Sequence, residues 1–205
     1  MVAGRQRSFC KTQALENAMR VFWKKGYVGA SLTDLTTAMG INKPSLYSAY
    51  GNKEQLFIAA VEYYIEEHAK PLTNVLHASG SLKERISNYL LHVIDGQCRG
   101  ESVTICGGDV PSGCFISSTI SESESDDFPE QARDVVYKMR DFSEHYLTDF
   151  LATEQSEGNL ANDVDVKAMA QFLVTIMHGT AAMARGGKTK DELISTINTT
   201  LNVLA

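Results

Sequence analysis

The chain of 205 residues contains only four cysteines and four prolines, and it has no long uninterrupted hydrophobic run. A membrane-spanning helix needs about 18 or more consecutive apolar residues, and no segment approaches that length. The N-terminal stretch up to Lys11 is polar and basic and lacks the apolar segment of a secretory signal. We therefore expect a cytoplasmic protein with no membrane partner.

Patterns that would bind a cofactor or a metal are also missing. The sequence has no glycine-rich phosphate loop, no C-x-x-C or H-x-x-x-H pair, and no acid–base pair with organised partners. We expect no cofactor, no metal site, no catalytic residue and no enzymatic activity. A small all-α enzyme is the less favoured alternative.

The few cysteines are expected to be free thiols, because a reducing compartment disfavours disulfides. Buried cysteine usually acts as a small hydrophobic residue. Cys106 and Cys114 flank a glycine-rich segment, however, and such thiols can act as a redox switch or bind a soft metal. A thiol- or metal-responsive protein that uses Cys106 and Cys114 therefore stays open as an alternative.

Helical periodicity dominates the sequence and indicates an all-α fold. Apolar residues recur three or four positions apart, and clusters of Gly, Pro, Asn and Ser separate these segments. The strict alternation typical of strands never persists. Pro71 is expected to end the fourth helix, and residues 101–113 are expected to form a loop.

Charge is divided unequally along the chain, whose formal net charge is −6. Residues 1–57 carry eight Lys or Arg against three Asp or Glu, whereas residues 58–205 carry eleven against twenty-two. A basic N-terminal part on an acidic remainder is typical of a protein that meets a polyanion with one end.

Local signals in the basic part predict a helix-turn-helix unit. An amphipathic helix that ends at Gly26 precedes Ser31–Asp34, which resembles a capping box. Gly40 allows a left-handed turn, and Asn42 can cap a second short helix that tolerates Pro44 in its first turn. Two short helices joined by such a turn on a longer helix describe this DNA-binding unit.

Residues 22–27 (FWKKGY) and 31–57 (SLTDLTTAMGINKPSLYSAYGNKEQLF) resemble the signature of the TetR/AcrR family of transcriptional regulators. The resemblance implies a three-helix DNA-binding head over residues 1–57, followed by a helical ligand-binding and dimerisation body over residues 58–205. It also implies about nine helices in total. The implied function is that of a DNA-binding regulator, a repressor that binds a palindromic operator as a dimer and is released by a small-molecule effector.

Matching the family pattern position by position gives a set of expected DNA contacts. The resemblance places Thr33, Lys43, Pro44 and Tyr47 near base edges, and Ser45, Tyr47, Ser48 and Lys53 near phosphates. Many family members have a polar or aromatic residue where this chain has Ala49. Contacts from that position are therefore lost, and the operator can differ.

The body is expected to hold both the dimer interface and the effector. In the family, the last two helices of each subunit form the interface, and small residues such as Gly179 favour close helix contact. The effector site is expected to be an apolar pocket, lined by Cys106, Cys114, Phe115, Tyr137, Phe142, Tyr146, Met177 and His178.

Overall fold

Helices make up the regular structure of this protein. The computed structural model describes residues 10–98 and 111–203, and it contains no strand in those ranges. The elements are α1 (Lys11–Gly29), α2 (Leu32–Met39), α3 (Lys43–Tyr50), α4 (Lys53–Tyr64), a π-helical segment (Ile65–Ala69), α5 (Lys70–Thr73), a 3₁₀ turn (Asn74–His77), α6 (Leu82–Gln97), α7 (Phe115–Glu122), α8 (Glu130–Ser156), α9 (Val166–Arg185) and α10 (Lys190–Val203).

The predicted all-α class is confirmed. α4, the π-helical segment, α5 and the 3₁₀ turn follow one another without a break. Counted as one helix, they bring the number of helices in the described ranges to nine. None of these helices is both long enough and apolar enough to cross a bilayer. The loop predicted for residues 101–113 lies almost wholly outside the described residues.

The predicted turn chemistry of the head is also confirmed. The Ser31 hydroxyl accepts from the Asp34 amide at 3.0 Å, and the Asp34 carboxylate accepts from the Ser31 amide at 3.1 Å. Hydrogen bonds from Lys25 and then from Ser31 hold the pKa of Asp34 at about 2. Gly40 has a φ of 68°, and Asn42 Oδ1 caps α3 by accepting from the Ser45 amide at 2.9 Å.

The prediction that Pro71 ends the fourth helix is wrong. Before the proline, the helix widens into a π-helical segment in which the Lys70 amide donates to Ile65 O, five residues back. Pro71 then stands in the first turn of α5, where its missing N–H is not needed. The rod therefore continues to His77.

Two hydrophobic cores organise the subunit. The first unites the head with neighbouring elements, because buried residues of α1 to α4 pack with Phe115, Phe128 and Val136 of the α7–α8 region. The second lies among α6, α8, α9 and α10. The first core thus extends beyond residue 57, and the head rests on the body through shared apolar packing.

A buried ion pair ties α6 to α8 beside the second core. Arg85 Nη1 donates to Glu154 Oε1 at 2.9 Å, and a second hydrogen bond joins Arg85 Nη2 to Glu154 Oε2. Glu154 is only 5% exposed. The hydrogen bonds from Arg85 lower the pKa of Glu154, more than burial raises it.

Because the pKa of Glu154 is lower in the folded state, the ion pair stabilises the protein above the unfolded-state pKa and loses this effect as the pH falls. We expect Glu154→Gln to lower the free energy of unfolding by about 3 kcal/mol at neutral pH. The deficit should shrink on acidification below about pH 4.5. Urea denaturation across pH measures this, with the exposed Glu62→Gln as control; a constant deficit would contradict it.

Candidate nucleic-acid interface and body cavity

Helix α3 presents a surface rich in hydrogen-bond donors. Leu46 is fully buried and anchors the helix on the head, while Tyr47 on the adjoining face is 46% exposed. Lys43, Pro44 and Ser48 are also exposed. An ammonium group and hydroxyls on a short, capped helix can donate to phosphates and base edges.

The remaining predicted contacts flank α3. Thr33 is exposed on α2, and Ser45 is half-buried in the first turn of α3. Lys53 begins α4, where its Nζ lies 4.4 Å from the centre of the Tyr27 ring. Burial lowers the pKa of Lys53, against an opposing effect of the Glu122 carboxylate. Lys53 is therefore held by packing rather than fully solvated.

A cavity of about 150 Å³ lies where α1 of the head meets the body. Five of the residues predicted for a ligand pocket lie in its wall, namely Cys114, Phe142, Tyr146, Met177 and His178.

Phe115 and Tyr137 are not among the residues that line this cavity. Phe115, the first residue of α7, is 1% exposed and packs into the first core. The Tyr137 hydroxyl instead donates to Glu124 at 2.5 Å, and Arg140 covers its ring. Cys106 lies outside the described residues.

The head contributes part of the cavity wall, which sequence reasoning missed. Met19, Arg20 and Trp23 of α1 line it, as does Gln97 at the end of α6. Trp23 and Gln97 are each 4% exposed. Among the described residues, neither Trp23 Nε1 nor Gln97 Oε1 has a hydrogen-bond partner. A cavity wall with such atoms can bind a polar ligand group.

The π-helical segment also contributes to the wall through Ile65, His68 and Ala69. Segments of this type are rare and often stand at functional sites. The segment continues directly from α4, whose first turn holds Lys53. The cavity therefore contacts α1 of the head and the π-helical segment that continues from α4.

Several charged or titratable groups of the wall have polar partners. Arg20 pairs with Glu16 at 2.5 Å. The Ser117 hydroxyl lies 2.6 Å from His178 Nδ1, and burial lowers the pKa of His178, which favours the neutral ring. The Tyr64 hydroxyl lies 3.4 Å from Cys114 Sγ. Within the described ranges, no group of three or more His, Cys, Asp or Glu could hold a metal ion.

A latch of polar contacts joins the head to the body. At the end of α7, the Glu122 carboxylate accepts from the amides of Tyr27 and Val28, both at 2.7 Å. Gly26, with a φ of 74°, kinks α1 and frees these amides. Arg185 at the end of α9 donates to Trp23 O at 3.1 Å. No sequence signal identified these partners, which are far apart in the chain.

Comparison with known proteins gives a consistent result. Residues 14–60 match the model for "Bacterial regulatory proteins, tetR family", and residues 103–199 match the model for "Tetracyclin repressor-like, C-terminal domain". The HTH-type transcriptional repressor ComR of Escherichia coli is 29% identical, over 98% of this chain and 91% of ComR. The HTH-type transcriptional regulator YezE of Bacillus subtilis is 30% identical, over 98% of this chain and 99% of YezE.

A solved structure gives the same picture. A cysteine mutant of the TetR family transcriptional regulator CifR, complexed with 26-base-pair double-strand operator DNA, superposes with a TM-score of 0.83. It is 30% identical and covers 97% of this chain and 98% of its own.

The latch makes a specific demand on Gly26. A Cβ atom there would lie 2.7 Å from both Glu122 carboxylate oxygens, and the positive φ would strain any other residue. We expect Gly26→Ala to lower the free energy of unfolding by about 1–3 kcal/mol. Urea denaturation measures it. Gly29→Ala, whose Cβ would meet only ordinary contact, is the control; equal effects of the two would contradict the latch.

Proposed function

Since this chain belongs to the TetR family and is a DNA-binding transcriptional regulator, we propose that it acts as a twofold dimer. In this proposal the paired α3 helices read a palindromic operator, and a small effector in the body cavity releases the protein from DNA. Repression is the favoured direction, because ComR and BdcR of Escherichia coli, both 29% identical to this chain, are named repressors.

The observation that carries the proposal is the exposed donor surface of α3 on a basic head. Lys43, Tyr47 and Ser48 point to solvent from a helix that Leu46 fixes on the core. In helix-turn-helix proteins the second helix enters the major groove. Thr33, Pro44, Ser45 and Lys53 complete the proposed contact set, with Lys53 on a phosphate beside the N-terminus of α4.

A steep salt dependence should accompany phosphate contact, because each neutralised phosphate releases condensed counterions. We expect Lys53→Gln to weaken binding to duplex DNA flanking this protein's own gene. It should also flatten the plot of log K against log salt concentration by about 1 per subunit. Fluorescence anisotropy across salt concentrations measures both. Lys83→Gln, on the exposed surface of α6, should change neither; an unchanged slope for Lys53→Gln would reject the phosphate role.

The outer face of α9 supports a dimer through the last two helices. A stripe of exposed residues runs along it at helical spacing, consisting of Ala168, Phe172, Thr175, Gly179, Ala182 and Met183. Phe172 is 37% and Met183 49% exposed, although both are large and apolar. A second copy would bury them, and a twofold dimer would present two reading helices to the two half-sites of a palindrome, which lie about 34–36 Å apart.

A charge on this stripe should separate the subunits. We expect Met183→Glu to yield monomers at concentrations where the unchanged protein is dimeric, because two carboxylates would face each other near the axis. Sedimentation velocity measures the change. Ala78→Glu, at an exposed position after the 3₁₀ turn, should leave the assembly intact. A dimer that survives Met183→Glu would place the interface elsewhere.

Release by an effector needs a route from the cavity to the head. Trp23 offers one, because its indole lines the cavity and its carbonyl accepts from Arg185 of the body. A ligand that prefers one tilt of α1 over another changes the spacing of the two heads. If the ligand binds the DNA-free arrangement more favourably than the DNA-bound one by about 1–3 kcal/mol, operator affinity changes roughly 5–150-fold.

A further inference from the structure

We propose that the effector cavity takes a neutral, single-ring aromatic molecule that bears a hydroxyl group, and that Trp23 Nε1 and Gln97 Oε1 recognise this hydroxyl. The inference rests on the proposed function, in which the cavity is the effector site.

Size limits the ligand to about one ring. The cavity volume is about 150 Å³, and an apolar cavity of about that volume holds benzene. Larger, fused-ring molecules would have to displace wall residues. Aromatic side chains line much of the cavity and favour edge or stacked contacts with a ring, namely Trp23, Tyr64, Tyr89, Phe142 and Tyr146.

Two wall residues each carry a buried polar atom without a hydrogen-bond partner, a donor on Trp23 and an acceptor on Gln97. Gln97 Nε2 already donates to Met177 O at 2.9 Å, which fixes the amide and leaves Oε1 as an acceptor. Trp23 Nε1–H is a donor only. A buried polar group without a partner is costly, so a ligand that pairs with it gains affinity over an isostere that cannot. A hydroxyl can both accept from Trp23 and donate to Gln97.

The wall also disfavours a charged ligand. Glu16 and Arg20 already compensate each other, and burial lowers the pKa of His178, which keeps that ring neutral near pH 7. A carboxylate in the cavity would therefore lose its hydration without gaining an unpaired cation.

Trp23 is the only tryptophan in the chain, and this makes the test specific. In ¹⁵N-labelled full-length protein without DNA, one indole N–H resonance reports on the cavity. Three single-ring probes test the hydroxyl group and the charge separately. Phenol carries the hydroxyl, toluene has a methyl group in its place, and benzoate carries a negative charge.

We expect phenol to shift the indole resonance downfield in a saturable way, because the N–H acquires an acceptor. Toluene should bind at least about fivefold more weakly, as the loss of two hydrogen bonds implies. Benzoate should not saturate. The inference is overturned if phenol gives no saturable shift, if toluene binds as tightly as phenol, or if benzoate binds best.

Two variants assign the preference to the proposed atoms. Trp23→Phe keeps a ring but removes the N–H, and Gln97→Met removes the acceptor at similar length. Calorimetry should show that each variant reduces the ratio of phenol affinity to toluene affinity. Gln131→Met, exposed on α8, is the matched control. Full retention of the phenol preference in both variants would reject the assignment.

A parallel gel shift keeps the two proposals apart. If the protein binds duplex DNA but phenol never enters the cavity, this inference fails and the regulator remains. If phenol binds as expected but DNA affinity does not change, the ligand class stands and the effector role of the cavity fails.

Discussion

The carboxylate of Glu122 on two backbone amides is the contact on which the arrangement of head and body depends. The kink at Gly26 leaves the amides of Tyr27 and Val28 without partners inside α1, and Glu122 supplies both acceptors. Charge-assisted hydrogen bonds are roughly twice as strong as neutral ones, and unlike apolar contact they have a preferred direction. The surrounding aromatic rings add buried apolar area; the Tyr27 and Phe128 ring centroids, for example, are 5.3 Å apart. These ring contacts alone do not fix the angle between the head and the body.

The same corner of the molecule holds the cavity, so binding and orientation share residues. Trp23 belongs to the cavity wall through its indole and to the latch through its carbonyl, while Lys53 of α4 stacks on Tyr27 beside Glu122. In the proposed release mechanism, a small displacement at the wall would act directly on the contacts that join the head to the body. Such proximity is a physical basis for coupling two sites.

Local chemistry explains which features the sequence could predict. The roles of Ser31, Asp34, Gly40 and Asn42 can be inferred from spacing alone. Each depends only on residues a few positions away in the chain. The exposed side of α3 likewise follows from the buried Leu46. The family resemblance supplied the roles of Lys43 and Tyr47.

Other features depend on contacts between distant segments and could not be predicted. Glu122 and Tyr27 are 95 positions apart, and neither residue type indicates the other. Spacing also could not show that Cys114 lines the cavity whereas Phe115 does not, because the two residues are adjacent in the chain and both pack against the first core. The rod continued through Pro71 because the π-helical segment had already changed the hydrogen-bond register.

The uneven distribution of charge has a consequence for how the protein finds its target. Eleven surplus negative charges on residues 58–205 and five surplus positive charges on residues 1–57 give the subunit a large permanent dipole. In the field of a nucleic acid, such a molecule experiences a torque that turns the head towards the duplex before contact. A larger share of encounters with the duplex then begins with the head in front.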